Sequence, residues 1–155
     1  HCRRRCIAGI VRLVPDIRLP SHAHVPGSGS RPDLVPLEHA KQLTPAVTRA
    51  AAWQENVPYL YGHDLMQAGY YWEAHEVWEA VWLATPANGP ERLLLQALIQ
   101  NANARLKSGM HRENAAARLH TQVEELRIDL VARLGGQIET FMGVDIGSRY
   151  MQYNA

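Results

Sequence analysis

The chain has 155 residues, of which 46% are hydrophobic and 20% are charged, a composition typical of one soluble globular domain. No apolar run approaches the length of a membrane-spanning helix, about 20 residues, so the sequence predicts no membrane association. The net charge of +1 combines a basic segment, residues 1–31, with an acidic remainder, which gives no electrostatic reason to expect nucleic-acid binding. Cys2 and Cys6 both lie in the basic segment, and a body without a disulfide framework favours a cytoplasmic location.

Three segments are predicted along the chain. Residues 1–36 contain several prolines and the linker-like stretch Gly27–Ser30, and we interpret them as either a disordered basic leader or non-native sequence upstream of the true start. Residues 37–134 are predicted to form a helical domain. Residues 135–155 form a C-terminal tail, in which residues 141–146 either dock on the helices or contact a neighbour and the residues from Gly147 onward are expected to fray.

Helical signals follow one another through the middle segment. Prolines and glycines delimit the helices, and the expected ranges are 37–43, 45–55, 59–68, 70–84, 91–108 and 111–134. No segment alternates apolar and polar residues in the manner of a strand. The predicted fold class is therefore all-α, a compact bundle of four to five helices built from packed helical hairpins.

The helix over residues 70–84 is apolar on nearly every side, with Glu73 and Ala80 left for solvent. Such a pattern predicts a buried helix. The polar residues His75, Glu76 and Glu79 are therefore expected in or beside the core, and they are the candidate catalytic residues, because a carboxylate can orient a His as a general base.

A His and a Glu four residues apart can also share a divalent metal ion, which makes His75 and Glu79 the candidate metal ligands. The motif of zinc proteases has a second His where this chain has Glu79. The sequence therefore does not favour a metal ion or any other cofactor at this site, and a divalent metal ion is kept as an alternative. His63 and Asp64, on the preceding helix, are the plausible additional ligands.

A row of polar side chains runs along the helix over residues 91–108, beside its apolar stripe. A solvated face usually carries Glu and Lys, whereas uncharged amides suit a partly buried face. The row is either an ordinary polar face or a face directed at polar groups of the helix over residues 70–84. The candidate ligand-binding residues on the two helices are Tyr71, Trp82, Arg92, Gln96, Gln100 and Asn103.

Two blocks of the sequence resemble a known family. Residues 69–82 contain the pattern aromatic-x-x-Ala-His-Glu-x-x-Glu-x-x-Trp, and residues 94–104 contain a Leu-Ile-Gln block followed by alanines. Over about residues 57–134 the chain resembles the domain of unknown function 309 family. The resemblance implies a small all-α bacterial or archaeal domain without an established activity. It singles out the signature positions His75, Glu76, Glu79, Trp82 and Gln100. The chain departs from the family at Lys107, where a His is frequent.

Three functions are compatible with the sequence. The first is a regulatory or other non-enzymatic domain whose buried His-Glu-Glu-Trp-Gln cluster is structural or binds a small ligand. The second is a hydrolase-like enzyme with Glu79 or His75 as general base, with or without a metal; it predicts an open pocket at Gln100 and a perturbed carboxylate. The third is a homo-oligomeric or partner-binding scaffold whose exposed tyrosines form an apolar patch. The tyrosines considered for this patch are Tyr59, Tyr61, Tyr70 and Tyr150.

Overall fold

Helices make up most of the computed structural model, which describes residues 6–7 and 10–154. Residues 1–5, 8–9 and 155, and with them Cys2, lie outside the described residues. The five α-helices are α1 (Leu34–Gln42), α2 (Val57–Gln67), α3 (Tyr71–Leu83), α4 (Pro90–Gly109) and α5 (Glu113–Arg133). From α2 to α5 each helix packs against the next one in sequence, which confirms the predicted bundle of helical hairpins. None of the helices in this part of the chain has both the length and the apolarity needed to cross a bilayer.

The predicted helix over residues 45–55 is wrong in its first half. Only Ala50–Glu55 is helical, as a 3₁₀ helix that is kinked at Ala52. Thr48 instead forms tertiary hydrogen bonds with the end of α3. Its backbone N–H donates to the carbonyl of Ala84 at 2.8 Å, and its hydroxyl donates to the carbonyl of Val81 at 2.8 Å. These bonds fix an irregular segment where local signals predict a helix.

The core is built around Trp78 of α3, which is almost completely buried. Its indole N–H donates to the carbonyl of Tyr59 at 3.0 Å, and its ring lies against Gly62, where a Cβ would overlap the indole. Tyr59 and Tyr61 are fully buried, so the predicted patch of exposed tyrosines is wrong for these two residues. The hydroxyl of Tyr59 reaches the C-terminal tail at Met142, and the hydroxyl of Tyr61 reaches the N-terminal segment at Arg18.

Short strands occur at both ends of the chain. β1 (Cys6–Ile7) and β2 (Ile10–Val11) pair antiparallel. β3 (Thr140–Phe141), β4 (Val144–Asp145) and β5 (Gln152–Tyr153) form an antiparallel sheet in that order. The sequence pattern predicts none of these strands, since segments of two residues are too short to show an alternating pattern.

The C-terminal tail docks on the bundle, which is one of its two predicted alternatives. The hydroxyl of Tyr59 donates to the carbonyl of Met142 at 2.7 Å. The expected fraying from Gly147 onward is wrong at Gln152–Tyr153, because this strand pairs with β4. The buried side chains of the tail are Met142, Val144, Ile146 and Met151.

Residues 12–24, which we call the strap, lie on α2 and α3. The prediction that residues 1–36 carry no fold is therefore wrong for the strap. The guanidinium of Arg12 forms a buried ion pair with Asp64 of α2, with 3.0 Å between Nε and Oδ2. Asp64 also accepts hydrogen bonds from the backbone N–H groups of Leu13 and Val14, at 2.7 and 2.9 Å. Ile17 is part of the hydrophobic core. The prolines of this segment correctly indicate a loop. The loop is nevertheless ordered, because the contacts with Asp64 and the core hold it in place.

Candidate metal and ligand site

His75 is held in one orientation by the helix that carries it. Its Nδ1 lies 2.6 Å from the carbonyl oxygen of Trp72. Since a carbonyl oxygen only accepts, Nδ1 carries the proton in this bond. The other ring nitrogen, Nε2, lies 3.3 Å from Oε1 of Glu76 and 3.6 Å from Oε1 of Glu79.

Helical spacing explains why these three side chains meet. Glu79 follows His75 by four residues and Glu76 by three, so it is the helical neighbour of both on α3. One ligand atom from each residue lies within 4.8 Å of those from the other two. Among residues 6–7 and 10–154, His75, Glu76 and Glu79 form the one group of three His, Cys, Asp or Glu side chains that could hold a metal ion together. We call them the metal cluster.

The charges in the metal cluster are not balanced within it. With the proton on Nδ1, a neutral His75 presents a lone pair at Nε2, and the two carboxylate oxygens repel this lone pair unless a proton or a cation lies between them. Lys41 of α1 approaches from outside. Its Nζ is 3.5 Å from Oε2 of Glu76 and 3.6 Å from Oε1 of Glu38. Lys41 thus contacts the outer oxygen of Glu76, while the inner oxygen faces His75.

The metal cluster lies at the rim of the bundle. The exposed fraction of the side chain is 15% for His75, 27% for Glu76 and 51% for Glu79. The prediction of burial is therefore wrong for Glu79, because α3 turns its other side to the core. The buried residues on that side are Ala74, Val77, Trp78 and Val81.

Glu73 shows the opposite difference, since the sequence predicts it at the surface and the structure buries it completely. The strap passes over the start of α3, and the backbone N–H of His24 donates to Oε2 of Glu73 at 2.8 Å. Burial raises the pKa of the Glu73 carboxyl. Ala80, the other residue predicted at the surface, is half-buried.

A pocket of about 300 Å³ adjoins the metal cluster between α3 and α4. The indole N–H of Trp82, on its wall, is buried and has no hydrogen-bond partner among the described residues. Glu79 belongs both to the metal cluster and to the pocket wall, so a ligand in the pocket is adjacent to any ion in the cluster. The lining residues are Glu79, Trp82, Leu83, Gln96, Ile99 and Gln100.

The structure thus groups Trp82, Gln96 and Gln100 of the candidate ligand-binding residues around one pocket, and it places the others elsewhere. Tyr71 lines a separate, wider groove of about 1010 Å³ between α4, α5 and the tail. Arg92 lies behind the pocket wall, with its guanidinium carbon 4.0 Å from the centre of the Trp82 ring. Asn103 is half-buried on α4 and lines neither cavity.

His63 and Asp64, the proposed additional ligands, lie away from the metal cluster. His63 is enclosed by aromatic rings, and its ring centroid is 4.8 Å from that of Tyr59 and 5.0 Å from that of Trp78. Burial lowers the pKa of His63 to about 3. Asp64 is occupied by Arg12 and by the backbone of the strap. Both residues stabilise the fold through these contacts.

Sequence reasoning missed Lys41, Leu83 and Ile99 at the site. Leu83 follows Glu79 by one helical turn, and Ile99 lies between Gln96 and Gln100, so the spacing on each helix contained a signal for both residues. Lys41 belongs to a helix distant in sequence, and its approach to Glu76 depends on how α1 packs on α3. No local pattern indicates that contact.

Comparison with known protein families places the site within a matched segment. Residues 59–119 match the model of a family described as "Domain of unknown function (DUF309)", which confirms the resemblance noted from the sequence. The match includes the metal cluster and the pocket, whereas Lys41, the strap and the tail lie outside it. Comparisons with curated proteins and with solved structures gave no match.

Proposed function

We propose a binding function for the segment that contains residues 59–119, which match the family model. It binds a divalent metal ion through His75, Glu76 and Glu79, and the adjoining pocket at Gln100 takes a small ligand. The observation that carries this proposal is the orientation of His75. Its Nδ1 is occupied by the Trp72 carbonyl, and Nε2 faces two carboxylate oxygens.

The distances in the cluster fit a shared ion. Nitrogen and oxygen ligands lie about 2.1 Å from Zn²⁺, so two such ligands at a tetrahedral angle are about 3.4 Å apart. The separations from Nε2 of His75 to Glu76 and Glu79 are 3.3 and 3.6 Å. A metal-bound His commonly donates its other ring N–H to a carbonyl or carboxylate, as His75 donates to Trp72. An imidazole with two carboxylates favours Zn²⁺, Fe²⁺ or Mn²⁺ over Ca²⁺, which prefers oxygen ligands alone.

The position of Glu79 supports a second ligand beside the metal. A site with three protein ligands keeps a coordination position open for water or for a group of a bound molecule. The half-exposed Glu79 carboxylate is shared with the pocket wall. The pocket supplies amide groups from Gln96 and Gln100, which can both donate and accept hydrogen bonds, so it suits a small polar molecule.

Direct titration with metal tests this proposal. The chelator-treated wild type is expected to bind one Zn²⁺ or Co²⁺ per chain in calorimetry, with a Co²⁺ absorption band from nitrogen and oxygen ligands. Glu79→Gln is expected to weaken binding at least about tenfold, equal to about 1.4 kcal/mol. Glu125→Gln, an exposed residue of α5, is the matched control and is expected to bind as the wild type does. A wild type that binds no metal, or a Glu79→Gln variant that binds equally well, would refute the proposal.

A hydrolase-like activity is the second candidate function, and the open pocket at Gln100 favours it over a closed cluster. His75 does not line that pocket, so the candidate general base in contact with a ligand is Glu79. The test is hydrolysis of model esters by the metal-free and the metal-loaded protein. Turnover that Glu79→Gln abolishes and Glu125→Gln retains would support it, and no turnover in either form would exclude it for these substrates.

A further inference from the structure

The strap is attached to α2 and α3 mainly through its backbone. The hydroxyl of Tyr61 donates to the carbonyl of Arg18 at 2.7 Å, and the hydroxyl of Tyr70 donates to the carbonyl of Pro20 at 3.0 Å. Asp64 accepts from two backbone N–H groups near the start of the strap. Tyr61, Asp64 and Tyr70 all lie within residues 59–119, the matched segment, whereas the strap itself lies outside it. Asp33 adds a contact from before α1, since it accepts from the backbone N–H of Ser21 at 2.8 Å.

The strap ends on the first turn of α3. There the backbone N–H of His24 donates to the buried Glu73 carboxylate at 2.8 Å. The ring of His24 meets the ring of Trp72 edge to face, with 4.8 Å between the centroids and 77° between the planes. The residue before the helix, Tyr70, provides no side-chain cap. The strap thus adds a hydrogen bond and a ring contact to a first helical turn that has no side-chain cap.

Trp72 in turn contacts His75 in two places. Its carbonyl oxygen accepts the hydrogen bond from Nδ1 of His75 at 2.6 Å. Its ring lies 5.9 Å from the ring of His75, centroid to centroid, at an interplanar angle of 74°. A shift of Trp72 would therefore alter both the hydrogen bond and the ring contact that orient the imidazole.

From this chain of contacts we infer that His24 is a positioning residue for the metal cluster. The ring of His24 holds Trp72, and Trp72 holds His75 with Nε2 directed at Glu76 and Glu79. The effect on metal affinity rests on the proposed function, whereas the effect on His75 orientation does not. Partners that orient a metal ligand typically change the affinity 10- to 100-fold when they are removed. Since His24 acts through Trp72, we expect the lower end, about tenfold.

The experiment compares three full-length variants. His24→Ala removes the ring that contacts Trp72, and His24→Phe restores an aromatic ring of similar shape. His22→Ala is the matched control, because His22 lies two residues away on the same strap, is exposed, and has its hydrogen bonds with Ser21 and Arg31. Circular dichroism and urea unfolding identify the conditions under which all proteins are folded, and the readouts are taken there.

Two readouts separate the positioning role from the metal proposal. The first is the Nδ1–H proton signal of His75 in NMR spectra of the metal-free protein. It is expected to exchange slowly with water in the wild type, in His22→Ala and in His24→Phe, and rapidly in His24→Ala. The second is the Zn²⁺ or Co²⁺ affinity, which is expected to fall about tenfold in His24→Ala and to recover in His24→Phe.

The outcomes are distinguishable. A folded His24→Ala protein with an unchanged His75 signal would overturn the positioning role, whatever the metal affinity. An equal loss of the signal in His22→Ala would also overturn it, because the effect would then belong to the strap as a whole. If the wild type binds no metal but His24→Ala still loses the signal, the proposed function fails and the positioning role stands.

Discussion

Replacing Glu79 by Gln removes one negative charge from the metal cluster and keeps the shape of the side chain. Glu79 is half-exposed, and the polar contact that the structure gives it is the one to Nε2 of His75 at 3.6 Å. Charge interactions at such exposed positions, whether attractive or repulsive, contribute about 0–1 kcal/mol. We therefore expect Glu79→Gln to change the free energy of unfolding of the metal-free protein by less than about 1 kcal/mol.

Asp64→Asn is the comparison that calibrates this expectation. Asp64 is fully buried, pairs with Arg12 at 3.0 Å and holds two backbone N–H groups of the strap. Loss of its charge leaves the guanidinium buried without its partner, which costs about 3–5 kcal/mol. The two substitutions thus remove the same charge from a carboxylate at the rim and from one in the core.

The assay is urea unfolding of the three proteins, first with a strong chelator and then with Zn²⁺. Zinc at 100 times its dissociation constant is expected to stabilise the wild type by about 2.7 kcal/mol. Asp64→Asn is expected to retain most of this gain. Glu79→Gln is expected to lose about half of it or more, because binding that is tenfold weaker leaves about 1.4 kcal/mol at the same zinc concentration. A loss of about 3 kcal/mol for Glu79→Gln in the presence of chelator would show that the cluster stabilises the fold without metal, and would refute the reasoning.

Two further predictions concern the core. Burial lowers the pKa of His63 to about 3, against 6.5 for the free group, so the unfolded chain takes up a proton that the folded protein does not. Stability linked to His63 is therefore fully present above about pH 6.5 and falls as the pH is lowered toward 3, by up to about 1.4 kcal/mol per pH unit. His63→Phe should flatten the pH dependence of urea unfolding in this range, and equal slopes in both proteins would contradict the assignment. Gly62→Ala should destabilise by roughly 2–4 kcal/mol, since it displaces Trp78 and breaks its hydrogen bond to Tyr59. Gly109→Ala is the control, because a Cβ there meets no neighbour within 4 Å, and equal midpoints for the two variants would contradict the packing argument.

The helices that carry the site were predictable because their ends are fixed by local chemistry. Gly69 has a positive φ of 87°, a conformation that glycine adopts readily, and it separates α2 from α3. Pro90 begins α4, where a missing backbone N–H costs nothing. The spacing of His75 and Glu79 then follows from the helical period alone, and so does their approach to one another.

The surroundings of the site depend on contacts that are distant in sequence. Glu73 is buried because the strap covers it, and Lys41 reaches Glu76 because α1 packs on α3. Tyr59 is buried under the tail. A helical wheel shows which side chains share a face, but it does not show which face another segment covers. The errors at Glu73 and Glu79 both come from this difference.

The net charge around the metal cluster favours a binding role for the cluster over a purely structural one. Glu38, Glu76 and Glu79 supply three negative charges, and Lys41 supplies one positive charge, which leaves two negative charges when His75 is neutral. The carboxylates of Glu76 and Glu79 lie close enough to repel one another, and solvent screens this repulsion at the half-exposed Glu79. A divalent ion would balance this excess. Structural ion pairs in the same protein, such as Arg12 with Asp64, are balanced within themselves. An uncompensated charge at an accessible rim is expected where a site is retained for binding rather than for stability.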